Sequence, residues 1–407
     1  MIVICAFFMG SWLASTSSSY HVQRDEMGAL ADYVMAQQKH VTTKIPKNND
    51  PFSNDQDEEA PSLFRTRSLH APACSRLESD QVSITLVTQC NEDRLWMMEH
   101  HCQRWPGPIS LAVYTRKPQR VIEERLQKMN CTKTNLQIHP FNMTIVDYPV
   151  NTLRNMAFSA VQTSHALYLD VDLWPAGDVP NALLRHKDYL AEDYRHALVL
   201  SAFQMRKSCK RRRYCPNDVP NMPWTHDDVK TGWEIKRFGP FYRDNEQSMA
   251  LNNALINSQT TNELLPIPCF GSNKFEPFLV VRYCRDLPPF QESFTGYGKN
   301  KITWVMQLRR SGYIFSQAGG VSVMHFPHPK SPAFQEWIKG SDEGDARLVK
   351  PSNEETMLQT KRSLIDQHFV QFRAWLNSRY PTEWTRTPLC HDAVNDDEFL
   401  WVSQKQL

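Results

Sequence analysis

From Val82 onward, short apolar blocks alternate with polar, turn-forming ones. Val82–Val87 (VSITLV) is a β-branched run of the kind that fills a buried strand, and Glu92–His101 follows it with helix-forming residues. Ile109–Tyr114 (ISLAVY) reads as a second strand and Val121–Met129 as a helix, with further strands at Leu136–His139, His165–Leu169 and Ala197–Ala202. Strands and helices taking turns is the rhythm of βαβ units, so the pattern predicts an α/β domain on a mainly parallel sheet flanked by helices. Later, a turn at Gly296–Lys301 (GYGKNK) precedes a helix predicted over Ile302–Arg309. Ile365, Phe369, Phe372 and Leu376 then draw an apolar stripe at i, i+4, i+7, i+11 spacing before Pro381 stops the run. That stripe is a core-facing helix surface rather than a cofactor box.

Upstream of Val82 the periodicity is lost. Tyr20–Asp80 is polar, broken by Pro46, Pro51, Pro61 and Pro72 and by the acidic Asp55, Asp57, Glu58 and Glu59, which predicts a largely disordered stem. Met1–Ala14 is the one continuous apolar block and runs into Ser15–Ser19, as a secretory signal or a truncated signal anchor would. The first basic residue is Arg24, so the usual basic flank is missing. The expected organisation is residues 1–19 signal or anchor, 20–80 stem, 81–380 folded domain and 381–407 tail.

Composition narrows the classes. Lys and Arg total 46 against 44 Asp and Glu, and a net charge of +2 supplies no field to recruit nucleic acid, so no nucleic-acid partner is expected. A mean hydropathy of -0.53, with no window near the roughly 20 apolar residues of a membrane helix, excludes a multi-spanning transporter. Ten cysteines are compatible with an oxidised lumenal protein, and Cys209 and Cys215 bracket Lys210–Arg213 either as a small basic disulfide loop or as an ordinary solvated one. Asn130 (NCT) and Asn142 (NMT) are glycosylation acceptors by sequence. Neither G-x-G-x-x-G nor a P-loop occurs, which disfavours dinucleotide and Walker-type enzymes.

The sharpest chemical feature is Leu167–Asp172 (LYLDVD), an apolar strand ending in Asp170 and Asp172. Side chains alternate along a strand, so both carboxylates are expected on one side, within reach of one hard divalent cation and a diphosphate. Ligands of α/β sheets bind beyond the carboxyl ends of the strands, where this pair falls. His325 and His328 (HFPH) could complete such a site. Pro327 favours an extended Phe326, aiming the two rings differently, so one ligand plus one phosphate or structural contact is expected rather than a chelating pair. In the GYGKNK turn, Asn300 and Lys301 offer donors for sugar or phosphate.

In chain order, Val82–Gln89 (VSITLVTQ), Gly107–Tyr114 (GPISLAVY), Tyr148–Asn155 (YPVNTLRN), Leu169–Leu173 (LDVDL), Phe275–Arg282 (FEPFLVVR), Gly296–Lys301 (GYGKNK) and His325–Ser331 (HFPHPKS) resemble glycosyltransferase family 49. That family includes the C-terminal catalytic domain of the LARGE-type matriglycan synthases and the β-1,4-glucuronyltransferase that primes them. The resemblance implies a GT-A fold and an inverting transfer from a UDP-sugar, with glucuronate the first choice and xylose or N-acetylglucosamine open. It further implies Mn²⁺ or Mg²⁺ dependence, a glycan or glycoprotein acceptor, and residence in the Golgi lumen, type II anchored or secretory. Asp170 and Asp172 fall on the family's D-x-D, and His325 or His328 on its late histidine ligand. Arg154, Asn155, Asp170, Asn300, Lys301 and Lys330 are then the donor-binding candidates. Glu276 is the candidate base, with Glu292 the alternative, and Asp172 acts through the metal. Two departures stand out: the family's GFGWNK reads GYGKNK, placing Lys299 where a tryptophan would stack, and its HAPS reads HPKS. A haloacid-dehalogenase-type phosphotransferase, with Asp170 as nucleophile and Asp227 and Asp228 as metal ligands, is one rival reading. A glycan-binding protein without turnover is the other.

Overall fold

The structure, a computed structural model, describes residues 64–66, 71–131, 135–143, 147–206, 212–241, 263–329, 331, 334, 335, 337 and 361–390, all within the unit Pro61–Leu407. The signal or anchor segment, most of the stem, Lys207–Arg211 and Lys330 lie outside them, as do the side chains of Arg212, Arg213 and Cys215.

Ten strands form one sheet: β1 (Ile84–Asn91), β2 (Ile109–Thr115), β3 (Leu136–Asn142), β4 (His165–Tyr168), β5 (Leu173–Pro175), β6 (His196–Met205), β7 (Phe238–Pro240), β8 (Leu264–Ile267), β9 (Phe278–Arg282) and β10 (Ile314–His325). Their order is β3-β2-β1-β4-β9-β6-β10-β5, with β7 on β6 and β8 on β10. The first four are parallel, as the βαβ rhythm predicts, and β6 runs parallel to β10. Between these groups β9 lies antiparallel to both β4 and β6, and the short strands β5, β7 and β8 also pair antiparallel. Glu92–His101 forms a 3-10 helix, Glu92–Met97, that leads into an α-helix at Met98–Arg104.

Both sheet faces are covered, which is why the central strands read as near-continuous apolar runs. Leu86, Leu111, Val113 and Val280 pack on one face against Leu95, Ile122 and Leu126, while Val87, Ala112, Leu279 and Val281 face Leu153, Phe158, Trp304 and Leu308 on the other. The second face is roofed by the helices Val150–Ser159 and Asn300–Arg310, both of which carry site residues. The predicted stripe is core: Ile365, Phe369, Phe372 and Leu376 of the Lys361–Arg379 helix are all buried. In β10 the register against β6 shifts between Gln317 and Ser322, and Gly320, at φ 66°, supplies the left-handed residue this bulge uses. The bulge divides the outer edge of β10 between two short antiparallel partners, β8 at Phe315–Ala318 and β5 at Val323–His325.

Covalent ties extend past both expected domain bounds. Cys74–Cys284 fastens the segment before β1, and Cys269–Cys390 fastens the segment after Tyr380, where Phe270 also bridges Leu389 and Arg386 pairs with Asp193 at 2.7 Å. Cys102–Cys131 joins the Met98–Arg104 helix to the segment just after the Gln119–Lys128 helix. Among the described residues no helix is long and apolar enough to cross a membrane.

His165 opens β4 fully buried, between the Ser164 hydroxyl (2.9 Å) and the Leu190 carbonyl (3.2 Å), and burial pushes it down to about 3 from an ordinary 6.5. The folded chain therefore binds fewer protons here than the unfolded chain between those values, so stability falls as pH drops below about 6.5. Thermal melts from pH 7 to pH 5 should show His165→Asn losing less stability than wild type, by up to about 1.4 kcal/mol per pH unit. Parallel slopes would contradict the neutral, buried imidazole.

Candidate active site

The two aspartates sit on a turn, not on a strand as their alternation suggested. β4 ends at Tyr168, and the chain turns through Val171 and Asp172, with the Leu173 amide donating to the Asp170 carbonyl at 2.8 Å, before rejoining the sheet as β5. Two donors hold the apex: His101 Nε2 and Trp174 Nε1 both meet the Val171 carbonyl, at 2.9 and 3.2 Å. Burial pushes His101 down to about 4, so a neutral ring donates this bond. The turn sends the carboxylates to different partners.

Asp172 joins the histidines. Antiparallel pairing sets Leu173 opposite His325 at the end of β10, and the Phe326 amide donates to the Asp172 carbonyl at 2.8 Å. The Phe326 ring stacks on Trp174 at 4.6 Å, which folds the HFPH segment back. His325 and His328 consequently converge, their Nε2 atoms 3.3 Å apart, correcting the expectation from Pro327 that the rings diverge. Ligand atoms of Asp172, His325 and His328 all lie within 4.8 Å of one another. One carboxylate oxygen with two imidazole nitrogens is a donor set that suits Mn²⁺, so these residues fit the implied cation. His325 is pushed down to about 4, chiefly by burial, so its ring is neutral and keeps a lone pair for a metal.

Asp170 is not in that cluster. Its Oδ1 accepts from Arg154 Nη2 at 3.1 Å and from the Tyr168 hydroxyl, and Lys301 Nζ lies 3.9 Å from its Oδ2. Burial alone would raise this carboxyl, but Arg154 and Lys301 outweigh it and hold it below the usual range. Arg154, from the Val150–Ser159 helix, is itself buried and fully engaged. It donates to the Tyr168 hydroxyl (2.6 Å), Asn151 Oδ1 (2.9 Å) and Asn300 Oδ1 (2.8 Å), and its guanidinium carbon lies 5.0 Å from the Tyr168 and Phe290 ring centroids. Lys301, equally buried, completes the group: its ammonium is 3.7 Å from Glu276 and 3.9 Å from the centre of the Phe278 ring. Burial raises the Glu276 carboxyl, against the pull of Lys301 and Arg154.

Other candidates go elsewhere. Asn155 caps the main chain of Phe290, donating to its carbonyl at 2.8 Å and accepting from its amide at 2.9 Å, and also donates to Glu292. Exposed Glu292 lines a small surface cavity of about 260 Å³ with Thr152, Met156 and Leu287, away from the Asp170 group. Lys299, left-handed at φ 56°, buries its side chain against Asp366 and, at 4.4 Å, the Phe369 ring. It therefore anchors the Lys361–Arg379 helix where the family's tryptophan would stack. Beside it Gly298, at φ 103°, leaves room for the Trp337 indole, which a Cβ there would meet at 2.4 Å. Asp228 closes a capping box with Thr225 at the start of the His226–Glu234 helix.

Sequence reasoning missed Arg94. It leaves β1 on the Glu92–Met97 helix and places Nη1 2.6 Å from Asp172 Oδ2 and Nη2 3.1 Å from His328 Nδ1. Tyr168, whose hydroxyl links Arg154 to Asp170, was visible only as a strand residue.

A mainly parallel α/β sheet thus brings an acidic turn beyond a central strand together with clustered imidazoles and buried cations. The profile of a family described as "Glycosyl-transferase for dystroglycan" matches residues 83–141 and 119–355, and the chain belongs to that glycosyltransferase family. The sheet has the GT-A organisation expected of it. The chain is 27% identical over 257 residues to the xylosyl- and glucuronyltransferase LARGE1 of Mus musculus, covering 62% of this chain and 32% of that protein. It is also 27% identical over 253 residues to the glycosyltransferase-like protein gnt14 of Dictyostelium discoideum, covering 61% and 38%. It thus spans about a third of the length of these curated relatives. A crystal structure of GalNAc-T7 with UDP, GalNAc and Mn²⁺ aligns at a TM-score of 0.37 and 10% identity over 76% of this chain and 62% of that one, a likeness too slight to bear on the site.

Breaking a buried, multiply bonded charge pair costs about 3–5 kcal/mol. Arg154→Met should therefore destabilise the domain by about that much in urea unfolding, and pairing it with Asp170→Asn should cost clearly less than the sum of the single changes. Additive costs would mean that the two groups are not coupled.

Proposed function

We propose that the chain transfers a sugar, glucuronate first, from a UDP-sugar to a glycan acceptor with inversion, in a cation-dependent reaction in the secretory lumen. The observation that carries this reading is the convergence of Asp172, His325 and His328 beside the Arg154–Asp170–Lys301–Glu276 group. A divalent cation held by Asp172, His325 and His328 would neutralise charge building on the departing nucleoside diphosphate. Arg154 fixes the Asp170 carboxylate, and Lys301 adds a positive charge beside it that favours an anionic ligand. Glu276 is the base: partly exposed, its basicity raised by burial, it can take the proton of an acceptor hydroxyl as that oxygen attacks the anomeric carbon. Glu292, committed to Asn155 and Thr152 on the outer surface, lacks that position.

The names of relatives, xylosyl- and glucuronyltransferases, support glucuronate and xylose alike, and the family resemblance puts glucuronate first. Three disulfides among the described residues and the exposure of both sequon asparagines, Asn130 and Asn142, support an oxidising lumen, the Golgi by family resemblance. The N-terminal anchor stays an expectation from Met1–Ala14.

Incubation with Mn²⁺, a glycan acceptor and UDP-glucuronate, UDP-xylose or UDP-N-acetylglucosamine should release UDP fastest from the first, and excess EDTA should abolish release. Glu276→Gln should lower turnover by about 100-fold or more while UDP affinity stays within about twofold. Phosphate liberated from a phosphomonoester without UDP release would favour the phosphotransferase reading. No thermal stabilisation by UDP with Mn²⁺ would favour the glycan binder, and unchanged Glu276→Gln turnover would remove that residue as the base.

A further inference from the structure

We infer that Arg94 is an internal counter-ion of the cation site, occupying Asp172 and His328 until a divalent cation displaces it. The inference rests on the proposed cation dependence and deepens it.

Asp172 Oδ2 is shared between Arg94 Nη1 at 2.6 Å and His328 Nε2 at 2.8 Å. A carboxylate accepts from both, so in this arrangement His328 carries its hydrogen on Nε2. In the neutral ring Nδ1 is then an acceptor, and Arg94 Nη2, 3.1 Å away, can donate to it. One guanidinium thus satisfies two of the three candidate ligands in the tautomer that cannot bind a metal through Nε2. The opposite tautomer has its own partner in place: the Pro329 carbonyl is 2.7 Å from Nδ1 and would accept a hydrogen from it, the outer-shell bond that commonly orients a metal-bound imidazole. Nδ1 cannot donate to Pro329 while accepting from Arg94. The two arrangements exclude each other, and Arg94 decides between them.

The surroundings suit such an exchange. The Asp172 side chain is only 9% exposed, so an unpaired charge there is costly and some cation is required at all times. The Arg94 side chain is 26% exposed and has water to move into, on a 3-10 helix whose start is held by Arg94's own amide on Asn91. The competition is between two cations, a guanidinium and a metal ion, for one carboxylate. Its consequence is a cation affinity set below what the three ligands alone would give, so that occupancy follows the ambient concentration of the metal.

The test is a titration with Mn²⁺ alone, by calorimetry or by loss of the free-ion magnetic resonance signal, on wild type, Arg94→Met and Arg94→Lys. Arg94→Met should bind Mn²⁺ about tenfold more tightly than wild type, melt at a lower temperature without metal, and recover wild-type stability with it. Arg94→Lys keeps the charge and should stay within about threefold of wild type. An Arg94→Met affinity equal to or weaker than a measurable wild-type affinity overturns the counter-ion assignment and leaves the transferase reading standing. If Arg94→Met does not fold without metal, refolding with Mn²⁺ supports the assignment and failure to refold overturns it. No Mn²⁺ binding by the wild-type protein overturns both.

Discussion

A guanidinium buried beneath the acidic turn is the constraint from which the site follows. Arg154 reaches from one helix to the phenol at the end of β4, to the carboxylate two residues later and to the first residue of another helix, using four hydrogen bonds. A buried cation so engaged cannot shift without leaving unpaired charge, a loss of several kcal/mol. It fixes Asp170, and with Asp170 fixed the turn must deliver Asp172 to the other side. The pairing of β5 with β10 then brings that carboxylate to the two histidines.

The outcome is a division of labour between neighbouring carboxylates of like charge. Asp170 is paired with the protein's own Arg154 and Lys301, while Asp172 is shared between Arg94 and His328. Lys301 stands between this pair and Glu276, and its ammonium is itself pushed down by burial and sustained by the surrounding carboxylates. Anionic ligands and a proton-accepting carboxylate can therefore share a small volume without mutual repulsion. Lys299, one residue before the helix that presents Asn300 and Lys301, ties the same turn to the Lys361–Arg379 helix, so the far end of the chain braces the site.

What the sequence discloses depends on how each element is buried. β1, β2, β4 and β6 are buried and show as apolar runs, the edge strand β3 is only half-buried, and the helix of Ile365 and Phe369 shows as a stripe, so the α/β class was legible. β5, β7 and β8 are only three or four residues long, so no periodicity announced them, and β9, though an apolar run, takes its antiparallel place between β4 and β6 through pairings distant in sequence. The D-x-D was found by residue type, but its geometry was misjudged, because the strand ends at Tyr168 and alternation ceases there. The convergence of His325 and His328 needed the long-range contact of Phe326 with Trp174. Arg94 had no local signal, since its meaning arises only from being folded against residues 78 and 234 positions away.

Anomalous diffraction at the manganese edge from crystals soaked with Mn²⁺ and UDP tests the central claim most directly. The account predicts one strong peak ligated by Asp172 Oδ2, His325 Nε2 and His328 Nε2, with Arg154 still bonded to Asp170. A peak ligated by Asp170 with Arg154 displaced, or none at this turn, would contradict it.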